Sequence, residues 1–270
     1  MPFQLQKISN HGVGVPVVAR SALQGMELMQ ACGIPESTRE AVFATLLEFQ
    51  RKLLRCFEIH ATFRNETNAA VHAALQHGIR TQAQGQVVDV PSVLDLDNHV
   101  DSFLQSAKLA LADAGRVLNP FFGQQFDHRF ERIVKWSEKT FPTGHDLVRV
   151  ARTCEPRVKA IVSMRNAVDH PSGLPGGRLI VQNFEVEFTD GRAVLREPRF
   201  GLSGDPLVPI VAEMDRLIED ILSTQESLLC ASVLEQRTTP VLIREIPREQ
   251  RDAVCPRRFY ASLVPTDTGA

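Results

Sequence analysis

The sequence contains no run of about 18 consecutive apolar residues, so no segment is a candidate membrane-spanning helix. The opening Met1-Pro-Phe-Gln-Leu-Gln-Lys7 has no charged head followed by an apolar stretch and predicts no secretory signal. Cysteine is sparse. Cys32, Cys56, Cys154, Cys230 and Cys255 are odd in number, scattered, and never spaced C-x-x-C. That argues against a disulfide framework and a zinc site, and for a reducing, cytoplasmic compartment. Charge of one sign is missing too: the formal net charge is −2. A dedicated duplex-DNA binder would carry a basic footprint that this chain lacks overall. Lysine is confined to Lys7, Lys52, Lys108, Lys135, Lys139 and Lys159, so the basic residues are mostly arginine, which suits bidentate phosphate contacts. A GC-rich genome explains the same bias.

Signature motifs are absent as well. There is no H-E-x-x-H, no phosphate-binding G-x-x-x-x-G-K-[ST] and no G-x-S-x-G. Asp95-Leu-Asp97-Asn98-His99-Val-Asp101 lacks the glycine and distal glutamate of a calcium loop and reads as an acid-rich helix start. His72 and His77 are five apart and do not share a helix face. Ser203, in Gly201-Leu-Ser-Gly204, reads as a turn or cap residue. No metal and no cofactor is expected.

What is present is helix. The chain is 43% apolar and 23% charged, an ordinary globular balance. Val13, Val15, Val17 and Val18 suggest a short edge strand, and a short helix is expected from Ser21 to about Ala31. After Pro35 there is neither glycine nor proline until Gly78. Val42, Leu46, Phe49, Leu53 and Cys56/Phe57 form a helical stripe there. The stripe fades between His60 and Thr67, which predicts a bend or break. Residues 81–98 read as a connection. Helices are expected at about 99–118, 125–140 and 144–170, the last either kinked or restarted at Pro156. Alternation from Leu179 to Phe188, the turn signal Asp190-Gly191 and a return over Ala193–Arg199 predict a β-hairpin. A long helix follows from Pro206 to Leu234, then two strand-like runs, Val241–Ile246 and Arg258–Val264. The expected organisation is an N-terminal helical region (1–95), a helical bundle carrying a β-hairpin insertion at about 178–199 (96–236), and a C-terminal extension with short strands (237–270).

One stretch is chemically pointed: Met164-Arg165-Asn166-Ala167-Val168-Asp169-His170-Pro171. It resembles the R-x(4–6)-H signature of the HEPN superfamily, with a polar residue after the arginine. About two such matches are expected by chance in a chain of this composition. The other is Arg55-Cys56-Phe57-Glu58-Ile59-His60. It lacks the polar neighbour and lies within an apolar-striped helix, so Arg165–His170 carries the resemblance. The resemblance implies a mainly α fold, a small helical bundle of HEPN type. It implies a metal-independent endoribonuclease acting as a homodimer on RNA, a toxin or phage-defence effector held by an antitoxin or regulatory protein. Arg165, Asn166 and His170 are then catalytic, while Arg157, Lys159 and Asp169 contact the substrate or its binding groups. Some members carry a tyrosine two residues after the histidine. That position is Ser172 here, and the only tyrosine is Tyr260.

The chemistry is consistent with this. Histidine serves as base or acid near neutral pH, and arginine offers a fork of donors to phosphate oxygens. Asn166 and His170 are four apart and share a face. Arg165 and His170 are five apart, about 140° around an ideal helix. They converge on one phosphate only if the helix end unwinds or a second subunit completes the site. Asp169, four residues from Arg165, either positions that arginine or neutralises it. Two other readings stay open: a non-catalytic HEPN-like module that binds RNA, a nucleotide or a protein partner, and a surface ion pair followed by a plain helix stop.

Overall fold

A computed structural model describes residues 10–77, 80–82, 87–126, 129–170, 177–189 and 192–264 of the chain. It is mainly helical with small antiparallel sheets. Helix α1 (Pro16–Val18), a π-helical turn (Ala19–Leu23) and α2 (Gln24–Ala31) run without a gap. The expected edge strand at Val13–Val18 is therefore helical from Pro16 onward. Proline occupies the first turn, where its missing N–H and fixed φ favour a start.

The long helix α3 (Glu36–His77) is unbroken. The expected bend is absent because the stripe does not end at Phe57. Phe63 is 0% exposed, and His60 and Thr67, polar in the sequence, are buried beside it. Strands β1 (Arg80–Gln82) and β2 (Val87–Asp89) pair with each other. Helix α4 (Leu96–Arg116) follows Asp95, which stands at φ 55. Helices α5 (Leu118–Phe122) and α6 (Phe130–Thr140) lead to α7 (Asp146–Asp169). Pro156 lies inside α7 and removes one backbone hydrogen bond without ending it.

The hairpin consists of β3 (Leu179–Gln182), β4 (Glu185–Thr189), β5 (Arg192–Arg196) and β6 (Arg199–Leu202). Strand β3 pairs with β6, and β4 with β5. The register is continuous: three steps along each strand from Gln182↔Arg199 arrive at Glu185↔Arg196. This is one long hairpin with its ladder interrupted. The cause is the pair at the gap. Pro198 has no N–H to offer, and Asn183 opposite it turns its amide to other backbone. Asn183 Oδ1 accepts from Val93 N at 3.0 Å and Phe184 N at 2.9 Å, and Nδ2 donates to Val93 O at 2.8 Å. Asp190-Gly191 lies outside the described residues, but the pair Thr189↔Arg192 leaves two residues between the strands there. At the open end Arg178 N donates to Ser203 Oγ at 3.0 Å, so Ser203 is the closing residue of the hairpin. Strand β7 (Val208–Pro209) pairs antiparallel with β6 on the side away from β3 and leads into α8 (Ile210–Gln236). Strands β8 (Val241–Glu245) and β9 (Phe259–Leu263) pair with each other.

The chain divides into two compact units, each built from separated stretches. The first comprises the described residues of Met1–Leu54, Leu109–Val158 and Asp220–Ala270. Its core joins Met29, Cys32 and Ile34 to Val42 and Leu46 of α3, Phe121 of α5, Leu229 and Val233 of α8, and Val241 of β8. That unit also contains a buried polar knot. Glu226 is 0% exposed and takes Arg20 Nη2 at 2.6 Å, Arg20 Nε at 2.9 Å and Gln24 Nε2 at 3.0 Å. Gln24 Oε1 in turn accepts the backbone N–H groups of Arg258 and Phe259, which fastens β9. Removing Arg20 would leave the buried carboxylate with Gln24 and the more distant Arg258 Nη1 at 3.4 Å, at a cost on the order of 3 kcal/mol.

The second unit comprises Arg55–Lys108 and Lys159–Glu219. Its buried side chains include Phe63, Phe103, Leu104, Ile161, Phe184, Phe200 and Met214. All five cysteines are free. Burial pushes the thiols of Cys32, Cys56, Cys154 and Cys230 up, which leaves them protonated and unreactive. Among the described residues no helix is long and apolar enough to cross a membrane.

Candidate functional site

Within the second unit, α7 turns Ile161, Met164 and Ala167 inward. That spacing of three leaves Arg165, Asn166 and Asp169 along the margins of the buried stripe. On the part of α4 in this unit the buried residues include Val100, Phe103, Leu104 and Ala107. Asp101, Gln105 and Lys108 follow at i, i+4 and i+7 along the edge of that stripe. The two polar margins meet.

Arg165 is held at all three guanidinium nitrogens. Nε donates to Gln105 Oε1 at 2.7 Å, Nη1 to Asp101 Oδ1 at 2.8 Å, and Nη2 lies 2.8 Å from Asp169 Oδ1. Its side chain is 12% exposed. Two carboxylates around one guanidinium neutralise its charge, and the planar fork is fixed in direction. Lys108 Nζ donates to Asn166 Oδ1 at 3.0 Å. The helix ends at Asp169, and His170 N still donates to Asn166 O at 2.9 Å. The His170 side chain is exposed. Pro171 lies outside the described residues, as do Ser172, Gly173 and Gly176.

The remaining expected residues fall apart. Lys159 is exposed on α7, seven residues before Asn166 and so on the same face two turns away. Arg157 is nine residues before Asn166, about 180° around the helix. It belongs to the first unit, where its Nε is 3.7 Å from Asp220 Oδ1.

Sequence reasoning missed Asp101, Gln105 and Lys108. Their recurrence beside an apolar stripe marks a polar edge, but nothing in one sequence says which helix that edge meets. The other R-x4-H match is also in this unit. His60 is 1% exposed; its Nε2 lies 3.4 Å from Asp215 Oδ1 and makes no hydrogen bond. Arg55 sits near Glu58 at 3.9 Å on the surface.

A cleft of about 990 Å³ lies elsewhere in the second unit, bordered by Thr67, Val71, Leu75, Val194, Arg196 and Arg199. The motif residues do not line it. Among the described residues no group of three or more His, Cys, Asp and Glu side chains could hold a metal ion. No protein-family model, curated protein or solved structure matches this chain.

Proposed function

We propose that the chain is a metal-independent endoribonuclease of HEPN type, acting as a homodimer in stress or phage defence under a protein inhibitor. One observation carries the reading. An exposed histidine stands at the end of a helix whose last turn also holds a fixed arginine and an asparagine gripped by a lysine. In the reaction a base takes the proton from an RNA 2′-hydroxyl, and O2′ attacks the adjacent phosphorus. The P–O5′ bond breaks, and the departing 5′-oxygen takes a proton from an acid. The products are a 2′,3′-cyclic phosphate and a 5′-hydroxyl. His170 has the chemistry for either proton transfer but not for both at once. Two copies of the motif across a two-fold axis would supply base and acid together, which is the reason for proposing a dimer. Arg165 is a positioning residue in this scheme, since each of its three nitrogens already holds a partner and two of those partners are carboxylates.

The test is cleavage of a labelled total-RNA and tRNA pool in EDTA, wild type beside His170→Ala. Cleavage by the wild type alone, leaving cyclic-phosphate ends, is the expected result. Equal behaviour of the two proteins would remove the catalytic role of His170. A second reading has a specific support: the neutralised Arg165 suits a bundle that keeps the motif for structure and binds RNA, a nucleotide or a protein without turnover. RNA retention without cleavage would favour it.

A further inference from the structure

We infer that Lys108 and the amide nitrogen of Asn166 form the phosphate-binding pair of this site, with Lys108 both orienting the amide and supplying the charge. The inference rests on the ribonuclease reading and assigns its substrate contacts.

The orientation of the Asn166 amide decides what it can offer a ligand. The O and N of an asparagine amide are usually assigned from their surroundings. Here the surroundings decide, because a lysine ammonium has three donors and no acceptor. The group 3.0 Å from Lys108 Nζ is therefore the amide oxygen. Nδ2 then faces the other way with two N–H donors, and among the described residues it has no partner. Asn166 is half-buried and shares a helix face with His170. Its donors are thus presented beside the exposed imidazole.

The second step is charge. Arg165 is the obvious phosphate ligand by residue type, yet Asp101 and Asp169 cancel it. A phosphate would have to displace a carboxylate to reach that guanidinium. Lys108 has no carboxylate within ion-pair distance among the described residues, and its contact is with a neutral oxygen. Its positive charge is uncompensated, and two of its three N–H bonds are open. A phosphodiester that set one non-bridging oxygen against Nδ2 of Asn166 and the other against an open N–H of Lys108 would gain a charge-assisted contact without breaking an existing pair. The ligand class is the backbone of single-stranded RNA.

Three substitutions test this. Lys108→Met removes the charge and the grip on the amide, Lys108→Arg keeps both, and Asn166→Asp keeps an acceptor for Lys108 while removing the outward donors. The probe is a fluorescent 2′-O-methyl RNA oligonucleotide, which binds but cannot be cleaved, followed by anisotropy over a salt series. Cleavage of unmodified RNA is measured in parallel. Lys108→Met is expected to weaken binding roughly tenfold or more, the loss of one charge-assisted contact. It should also reduce the slope of log affinity against log salt by about 0.7, one single-strand phosphate contact. Lys108→Arg should restore the slope. Asn166→Asp should lose binding and cleavage while its thermal melt stays at or above wild type, which also guards against a misfolded Lys108→Met. Wild-type affinity and salt slope in Lys108→Met, or wild-type activity in Asn166→Asp, would overturn the assignment. If wild type itself neither binds nor cleaves RNA, the ribonuclease reading falls and this assignment with it. If wild type is active and all three variants match it, this assignment alone falls.

Discussion

Arg55–His60 and Arg165–His170 have the same spacing and opposite environments. In the first, the arginine is on the surface, its side chain 62% exposed, and the histidine is buried at 1%. In the second, the arginine is enclosed at 12% and the histidine is exposed. The inversion follows from position in the helix. His60 lies in the middle of α3, where its face continues the apolar stripe through Phe63. His170 lies one residue past the end of α7, before a proline that disfavours helical geometry there. Spacing alone therefore cannot nominate a site. A base or acid must be reachable by substrate, and only the second histidine is.

The largest effect should separate the two motifs by activity. His170→Ala should lower RNA cleavage on the order of 10²–10⁴-fold, the usual worth of a positioned acid or base. His60→Gln should leave the rate within a few-fold, read on the same substrate at the same folded concentration. Loss of cleavage in His60→Gln with retained fold would place catalysis at the wrong motif and break the comparison.

The next effect is on stability, and it falls on the arginines. Arg165→Ala removes two hydrogen bonds, to Gln105 and Asp101, and the ion pair with Asp169. Asp101 and Asp169 are partly exposed and can rehydrate, so the cost is about 1–2 kcal/mol rather than that of a buried charge. Urea unfolding measures it. A variant as stable as wild type would mean that the α4–α7 polar contact is not formed in solution.

The helices were legible because their signals are local: the glycine-free stretch after Pro35, the stop at His170-Pro171, the long apolar stripe of α8. The hairpin was legible from alternation and Asp190-Gly191, but not its interruption. Asn183 reads as one more polar residue on a strand until Val93 is known to lie beside it. The π-turn at Ala19–Leu23 and the burial of Arg20 have no local signal either, since Glu226 is 206 residues away. At the site, the motif and the Arg165–Asp169 contact were readable from i,i+4 spacing. Lys108, Gln105 and Asp101 were not, because pairing of helix edges is a tertiary fact.

His60 should leave a mark on acid stability. Burial lowers its pKa, Asp215 opposes that, Arg64 adds to it, and the Val211 carbonyl opposes it. In the unfolded chain it titrates near 6.5. Below that pH the unfolded chain binds a proton that the folded one resists, so stability is full above the unfolded pKa and is lost as the pH falls through it toward the lower folded value. His60→Phe should flatten that decline, measured as urea midpoints across the acid range. An unchanged slope would mean that some other group sets the acid limb.

Arg55→Ala should do least. Arg55 stands 3.9 Å from Glu58 with both side chains largely in water. An exposed i,i+3 pair at that distance gains little Coulomb energy and loses side-chain entropy when it forms. The expected change in unfolding free energy is within about 0.5 kcal/mol. Set beside Arg165→Ala in the same unfolding series, the difference measures how much the second arginine's enclosure contributes. If Arg55→Ala proves as costly as Arg165→Ala, exposure does not distinguish the two motifs, and the case for Arg165–His170 must rest on His170 alone.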